Sequence, residues 1–232
     1  MHLSRALSAL LAASVLTACA TSAAAPSQTP TPAQSPYPLS TAAPPLSDAQ
    51  IARRGLVRKG DFPKGWKVNT SANDRLTCKS TSAAKKAASA TARGKAFASG
   101  PNTEMQSDAW VYASTKAAKR QTNRIGGSAT TNCVVGALKR VFTDTAGYKV
   151  GTIATAPLDL GTVGEERLGT RITIPVSAQG VDTNVVVDLV VVRVGRAFAL
   201  ELFVDALQPF DEGFRAKLTD TQVKRLRAAQ QS

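Results

Sequence analysis

Eight consecutive residues, Val185-Val186-Val187-Asp188-Leu189-Val190-Val191-Val192, restrict the fold of this 232-residue chain more than any other stretch. All but Asp188 are apolar and most are β-branched, which disfavours helix and leaves both faces of an extended strand dry. Such a strand, over residues 184–194, belongs in the middle of a sheet covered on both sides. The segment before it, residues 166–178, alternates Leu168, Thr170, Ile172, Ile174 and Val176 with Arg167, Gly169, Arg171 and Thr173, one wet face and one dry. The segment after it, residues 197–204, points Phe198, Leu200, Leu202 and Val204 one way, and residues 148–154 form a fourth β segment. Hairpin turns fit Gln179-Gly180-Val181-Asp182 and Gly195-Arg196, so the pairing is antiparallel. Asp188 and Glu201 interrupt apolar strands and are expected as edge or rim charges; on one shared cavity they would instead contact a ligand.

The first half of the domain reads differently. Ser47 is a plausible N-cap for a short helix through Leu56 and Val57. In Asp61-Phe62-Pro63-Lys64-Gly65-Trp66, Pro63 and Gly65 mark a turn, with Phe62 and Trp66 as anchors over one edge of a core. Residues 79–101 are rich in Ala, Ser and Lys with little apolar period, and predict weak helix or a mobile loop. Residues 106–113 read as a strand with Trp110 and Tyr112 on one face and Val111 on the other. Ser114 opens a helix that Gly126-Gly127 stops, and a second helix after Ser128 carries Val134, Leu138 and Val141. Thr219 and Gln222 have capping-box spacing for a final helix with Val223 and Leu226 inward and Lys224, Arg225 and Arg227 outward. The sum is an α+β fold: a largely antiparallel β-sheet of about five strands with helices packed on it.

The N-terminus does not belong to that fold. Arg5, an apolar segment over residues 6–16 and the small pair Thr17-Ala18 have the parts of a secretory signal. In Leu16-Thr17-Ala18-Cys19 a cysteine follows the small pair directly, which resembles the lipobox of bacterial lipoprotein precursors. That resemblance implies a signal peptide over residues 1–18, a diacylglyceryl group on the Cys19 thiol, and a mature chain held at the extracytoplasmic face of the cell membrane by its lipid. Residues 20–47 contain no charged residue and seven of the twelve prolines, so residues 19–47 are expected as lipidated cysteine and tether, and residues 48–232 as one domain. With Cys19 lipidated, Cys78 and Cys133 remain as an even pair in an oxidising compartment, which favours a disulfide.

The formal charge of +13 is uneven. Residues 49–140 hold 18 Lys or Arg against 4 Asp or Glu, whereas residues 141–232 hold 10 against 11. Export argues against nucleic acid as the partner and points to anionic lipid headgroups or cell-wall polymers, or to a solvated basic surface with no particular partner. The one histidine is His2, inside the signal, so the mature chain has no imidazole for Ser-His-Asp or Cys-His catalysis or for a metal site. Gly126-Gly127 lacks the frame of a phosphate loop, and Glu165-Glu166 reads as a solvated turn rather than a catalytic carboxylate pair. Met105 and Trp110 are expected in the core. No catalytic residue, cofactor or metal site is expected, and no ligand-binding residue is assigned.

Together the lipobox, the Thr/Pro/Ser tether, Asp61-Phe62-Pro63-Lys64-Gly65-Trp66, the spaced cysteines, the helix after Asp108-Ala109-Trp110-Val111-Tyr112 and the hairpin Val190-Val191-Val192-Arg193-Val194-Gly195-Arg196 resemble actinobacterial lipoproteins. More narrowly, they resemble the sensor-type domain found outside some mycobacterial Ser/Thr kinases and in stand-alone lipoproteins. The resemblance spans residues 48–229 and implies a non-enzymatic α+β domain that binds or senses a ligand or partner. It departs from the kinase-linked pattern in having one candidate disulfide instead of two, and no kinase domain. A carrier of lipid or lipoglycan is the alternative, which would need a large apolar cavity lined by residues 168–204; an envelope hydrolase without histidine is the third reading, which would need clustered carboxylates or a Ser-Lys pair.

Overall fold

The computed structural model describes residues 44–70, 78–145 and 147–232, so Cys19, the signal and nearly all of the expected tether lie outside the described residues. In chain order the elements are α1 (Asp48–Arg54), a 3₁₀ turn (Lys59–Asp61), β1 (Lys67–Asn69), α2 (Lys79–Ala87), β2 (Ala90–Arg93), β3 (Ala96–Ser99), β4 (Thr103–Val111), α3 (Thr115–Ile125), α4 (Ser128–Thr143), β5 (Tyr148–Val150), β6 (Ala154–Pro157), β7 (Glu166–Ala178), β8 (Val181–Val194), β9 (Ala197–Asp205) and α5 (Glu212–Gln231). The strands form one antiparallel sheet in the order β1-β3-β4-β9-β8-β7-β5, with β2 also paired to β4 and β6 also paired to β7. The class is α+β as the pattern predicts, but nine strands replace about five. The additional strands have three or four residues each, too few to show an alternation, and the fourth β segment is split into β5 and β6. Residues 79–101, expected as weak helix or loop, are α2, β2 and β3, held by pairing to β4 that local sequence does not signal.

β8 has the central place that its run of valines requires, with β9 on one side and β7 on the other. Gln179 and Gly180 join β7 to β8 with φ of 54° and 78°, the left-handed pair of a two-residue hairpin. Side chains then sort by alternation. On one face Val190, Val192 and Val194 join Met105, Ala109, Ala199 and Phe203 beneath α1 and α5. Phe62 and Trp66 close the rim of that core, with Phe62 4.3 Å from Phe97 and Trp66 5.5 Å from Phe214 between ring centres. On the other face Val185, Val187 and Leu189 meet Ile172, Ile174 and Val134 beneath α4, while Val191 and Phe198 pack with Trp110, Tyr112 and Ile125 beneath α2 and α3. Each such side chain, fully buried, contributes about 1.5–3 kcal/mol.

The starts of α1 and α3 follow local rules, and that of α5 does not. Ser47 caps α1 in a reciprocal box with Gln50, and Ser114 caps α3. α3 stops at Gly126, where a Cβ would lie 2.0 Å from Leu168 Cδ1, so the break also lets the helix end approach the sheet. The exception is α5, which starts two turns before Thr219: the Asp211 carboxylate accepts from the Phe214 N–H at 2.6 Å, and Thr219 and Gln222 are buried inside the helix. Val223 and Leu226 do face inward. Arg225, expected outward, reaches back to Asp61 with both guanidinium nitrogens at 2.5 and 2.7 Å and ties α5 to the turn that carries Phe62.

Cys78, at the start of α2, is bonded to Cys133 in α4. The bridge closes a 55-residue separation, which stabilises the fold by about 4 kcal/mol on the chain-entropy model. Replacing both cysteines with serine should lower the urea midpoint by an amount equivalent to about 2–4 kcal/mol, with the slope of the transition also changed because the unfolded chain is released; an unchanged midpoint would mean that the bridge constrains nothing that packing does not already hold.

Candidate functional site

The bridge also builds a wall. α2 and α4 stand beside each other over strands β4, β9 and β8, with the Ser80 and Thr130 hydroxyls 2.6 Å apart, and between the helices and the sheet lies a cleft of about 200 Å³. Leu189, Leu200, Leu202 and Trp110 make its apolar floor, Thr81, Ser82 and Lys85 come from α2, and Thr130 and Val134 from α4. Alternate residues of β4 bring Glu104, Gln106 and Asp108 onto the same floor, with Arg93 of β2 directly across from Asp108. The Gln106 amide oxygen accepts from Arg93 Nε at 2.6 Å and Nη2 at 2.8 Å, in the amide orientation that satisfies both groups.

Two carboxyls here are held off their ordinary values. Burial pushes Asp108 up to about 6 against the pull of Arg93, Lys85 and the Gly94 amide, and among the described residues its buried Oδ1 has no hydrogen-bond partner. Glu104 is also raised by burial, although Asn69 Nδ2 donates to it at 2.5 Å. A cleft with an apolar floor, a carboxyl of raised pKa and two cations can hold a small amphipathic molecule that offers both donors and acceptors. It is a poor place for paired-carboxylate chemistry: Glu104 and Asp108 are four residues apart on one strand, about 13 Å between Cα atoms, beyond the separations that glycoside hydrolysis uses.

Asp188 and Glu201, expected at an edge or rim, are instead fully buried on the opposite face under α5. Asp188 accepts from Arg171 Nε at 2.7 Å and Nη2 at 2.8 Å, and from Arg215 Nη1 at 2.8 Å. Glu201 accepts from the Thr219 hydroxyl at 2.5 Å, and burial pushes its carboxyl up to about 8 against that bond and the Arg215 charge. It therefore carries its proton at neutral pH. A groove of about 420 Å³ runs beside this cluster, between residues 159–163 and the first turns of α5, with Arg215 and Thr219 in its wall. Glu165 and Glu166, expected as a solvated turn, hold Arg193 at 2.5 and 2.9 Å and so fasten the start of β7 to the β8–β9 turn.

Met105 and Trp110 are buried as expected, Trp110 also lining the cleft, and the Cys78–Cys133 pair is bonded. The cleft residues Arg93, Glu104, Gln106 and Asp108 were not singled out in the sequence. The signal was present: Glu104, Gln106 and Asp108 put polar groups at a period of two on the face that Trp110 and Tyr112 make apolar. Among the described residues there is no group of three or more His, Cys, Asp or Glu placed to hold a metal ion, and no helix is long and apolar enough to cross a membrane.

No protein-family model matches the chain, and no curated protein matches it. A solved structure to which the chain is similar is the extracellular domain of PknH from Mycobacterium tuberculosis, at 6% identity and a TM-score of 0.47, covering 81% of this chain and 100% of that one.

Asp108 has a pH signature. Its carboxyl keeps its proton to higher pH when folded than when unfolded, so its contribution to stability is complete below about pH 4 and is lost as pH rises to about 6. Asp108→Asn cannot ionise, and its stability relative to the parent should rise by up to about 3 kcal/mol between pH 4 and 7 in urea titrations; a pH-independent difference would show that the group titrates at its ordinary value.

Proposed function

We propose that this protein is a lipid-anchored binding domain outside the cytoplasmic membrane, which holds a small amphipathic ligand in the cleft between α2, α4 and the sheet. The observation that carries the reading is the floor of that cleft, where Asp108, Gln106 and Arg93 stand beside Trp110, Leu200 and Leu202. Polar residues on the concealed face of a strand lower the stability of a sheet, so their gathering around an opening favours a binding role over a structural one. The bonded Cys78–Cys133 pair suits an oxidising compartment. The anchor follows from Leu16-Thr17-Ala18-Cys19, and two acyl chains hold a protein where one binds only marginally.

Binding is favoured over lipid carriage and over hydrolysis. A carrier would need its cavity along residues 168–204, but there Ile172, Ile174, Val185 and Val187 are packed beneath α4. The cleft, at about 200 Å³, lies below the roughly 300–1,000 Å³ of drug-sized ligand sites. Hydrolysis by paired carboxylates is disfavoured in the cleft, where Glu104 and Asp108 stand too far apart to act together. The domain acts by occupancy, and a separate protein would read that state.

Mass spectrometry of the protein extracted from membranes of its own bacterium tests both parts. The denatured mass should equal the chain from Cys19 onward plus a diacylglyceryl group, and the native spectrum should add one molecule smaller than a drug-sized ligand that is missing from Ser82→Trp, in which an indole fills the mouth of the cleft. An unmodified Cys19 would remove the anchor; an adduct that persists in Ser82→Trp would remove the cleft as its site.

A further inference from the structure

Half of the positive charge of residues 49–140, nine of 18 Lys or Arg, lies on three neighbouring helices. α2, α3 and α4 pack against one another as a single layer on one face of the sheet. Their sequences hold nine Lys or Arg, three on α2, four on α3 and two on α4, all exposed, and no Asp or Glu. Of these nine, Lys119 makes a salt bridge, to Glu166 at 3.3 Å, and Lys85 faces Asp108 across the cleft; among the described residues no other salt bridge engages them. The opposite layer also carries cations, among them Arg53, Arg54, Lys217 and Arg227, but there they are mixed with acids. On α1 and α5 the acids Asp48, Glu212 and Asp220 are each paired, with Arg196, Arg215 and Lys224, and Arg225 is bound to Asp61. These like charges repel within the folded layer, and apart from Glu166 beside Lys119 and Asp144 four residues after Arg140 little negative charge offsets them, so the layer lowers stability unless it meets negative charge elsewhere.

We propose that the α2–α3–α4 layer docks on an anionic phospholipid surface. Helices side by side on one face of a sheet present their cations as a broad array, which suits a plane of headgroups, and each basic residue near such a surface adds to binding. No large apolar side chain is exposed on these helices, so the contact is electrostatic and stays at headgroup depth. The location of that surface, the leaflet that holds the lipid, rests on the anchored reading above.

The test uses the chain from Ala20 to Ser232. It keeps the whole fold, because every residue of the three cores lies between Leu46 and Ala229, and it lacks Cys19, so its outcome does not depend on lipidation. Sedimentation with phosphatidylcholine vesicles, with or without about one-third phosphatidylglycerol, should show binding only to the anionic set and its loss at high salt. Reversing four cations of the layer, as Lys86→Glu, Lys116→Glu, Arg120→Glu and Lys139→Glu, should weaken that binding at least ~100-fold, and the four Gln counterparts at least ~10-fold. The same change of net charge on the other side, as Arg53→Glu, Arg54→Glu, Lys217→Glu and Arg227→Glu, should weaken it less than ~3-fold, since those charges lie beyond the screening length. Equal loss from both sets would overturn the oriented surface. Retention on poly(glycerol phosphate) without vesicle binding would overturn the lipid and assign the layer to a wall polymer.

Discussion

One carboxylate in a strand of valines governs this fold. β8 is buried on both faces, and a charge there is tolerated only with partners of opposite sign and full hydrogen bonding. Asp188 has both: Arg171 sits directly across from it on β7, and Arg215 arrives from α5, itself only 2% exposed. The arrangement specifies register as well as contact. A shift of β8 by one residue would turn Asp188 towards α4, among Ile172 and Ile174, and would leave Arg215 buried against valine. Hydrophobic alternation alone discriminates weakly here, because both faces of the strand are apolar. The ion cluster removes the ambiguity and at the same time determines where α5 rests. The protonated Glu201 beneath Thr219 completes the layer without adding a second negative charge.

With that register set, the other side of β8 presents Val185, Val187, Leu189 and Val191 to α2, α3 and α4. Here closure is incomplete. α2 and α4 are joined by the Cys78–Cys133 bond at one end, yet the polar row Glu104, Gln106 and Asp108 lies below them and Arg93 occupies the space that an apolar side chain would fill. The two faces of one sheet thus differ: one buries paired charges beside the groove along α5, and the other carries a cleft with a polar floor beneath helices whose exposed charge is of one sign. That asymmetry follows from which side chains each strand directs to which face, and it is the structural basis for assigning ligand binding to the second face.

Much of the architecture could be read from the chain because its information is local. Residues 166–204 announce their strands by alternation or, in β8, by an apolar β-branched run, and their turns by Gly180 and Gly195, and Ser47 and Ser114 announce two helix starts. Trp110 and Tyr112 share one face with Val111 on the other, as the period of two requires. What escaped was non-local. The strands β2 and β3 exist because β4 is there to pair with them, and β1 because β3 is. Thr219 and Gln222 have capping spacing, yet α5 begins at Glu212 because Asp211 is the better-placed cap and packing carries the helix through. Asp188 and Glu201 looked like rim charges because their partners, Arg171, Arg215 and Thr219, are 17, 27 and 18 residues away. The cleft escaped for a similar reason: its walls come from two helices and its polar floor from a strand whose early residues carry no apolar pattern.

The most direct test of this account is a double-mutant cycle on Asp188 and Arg215, measured by urea unfolding. Asp188→Val alone leaves Arg215 buried without its carboxylate and should lose about 3–5 kcal/mol. Adding Arg215→Met removes the stranded charge and should recover at least about 2 kcal/mol of that loss, giving a double variant more stable than Asp188→Val. If the second substitution instead lowers stability further, by what it costs in the parent, the two residues act independently, and the ion cluster does not hold α5 to the sheet.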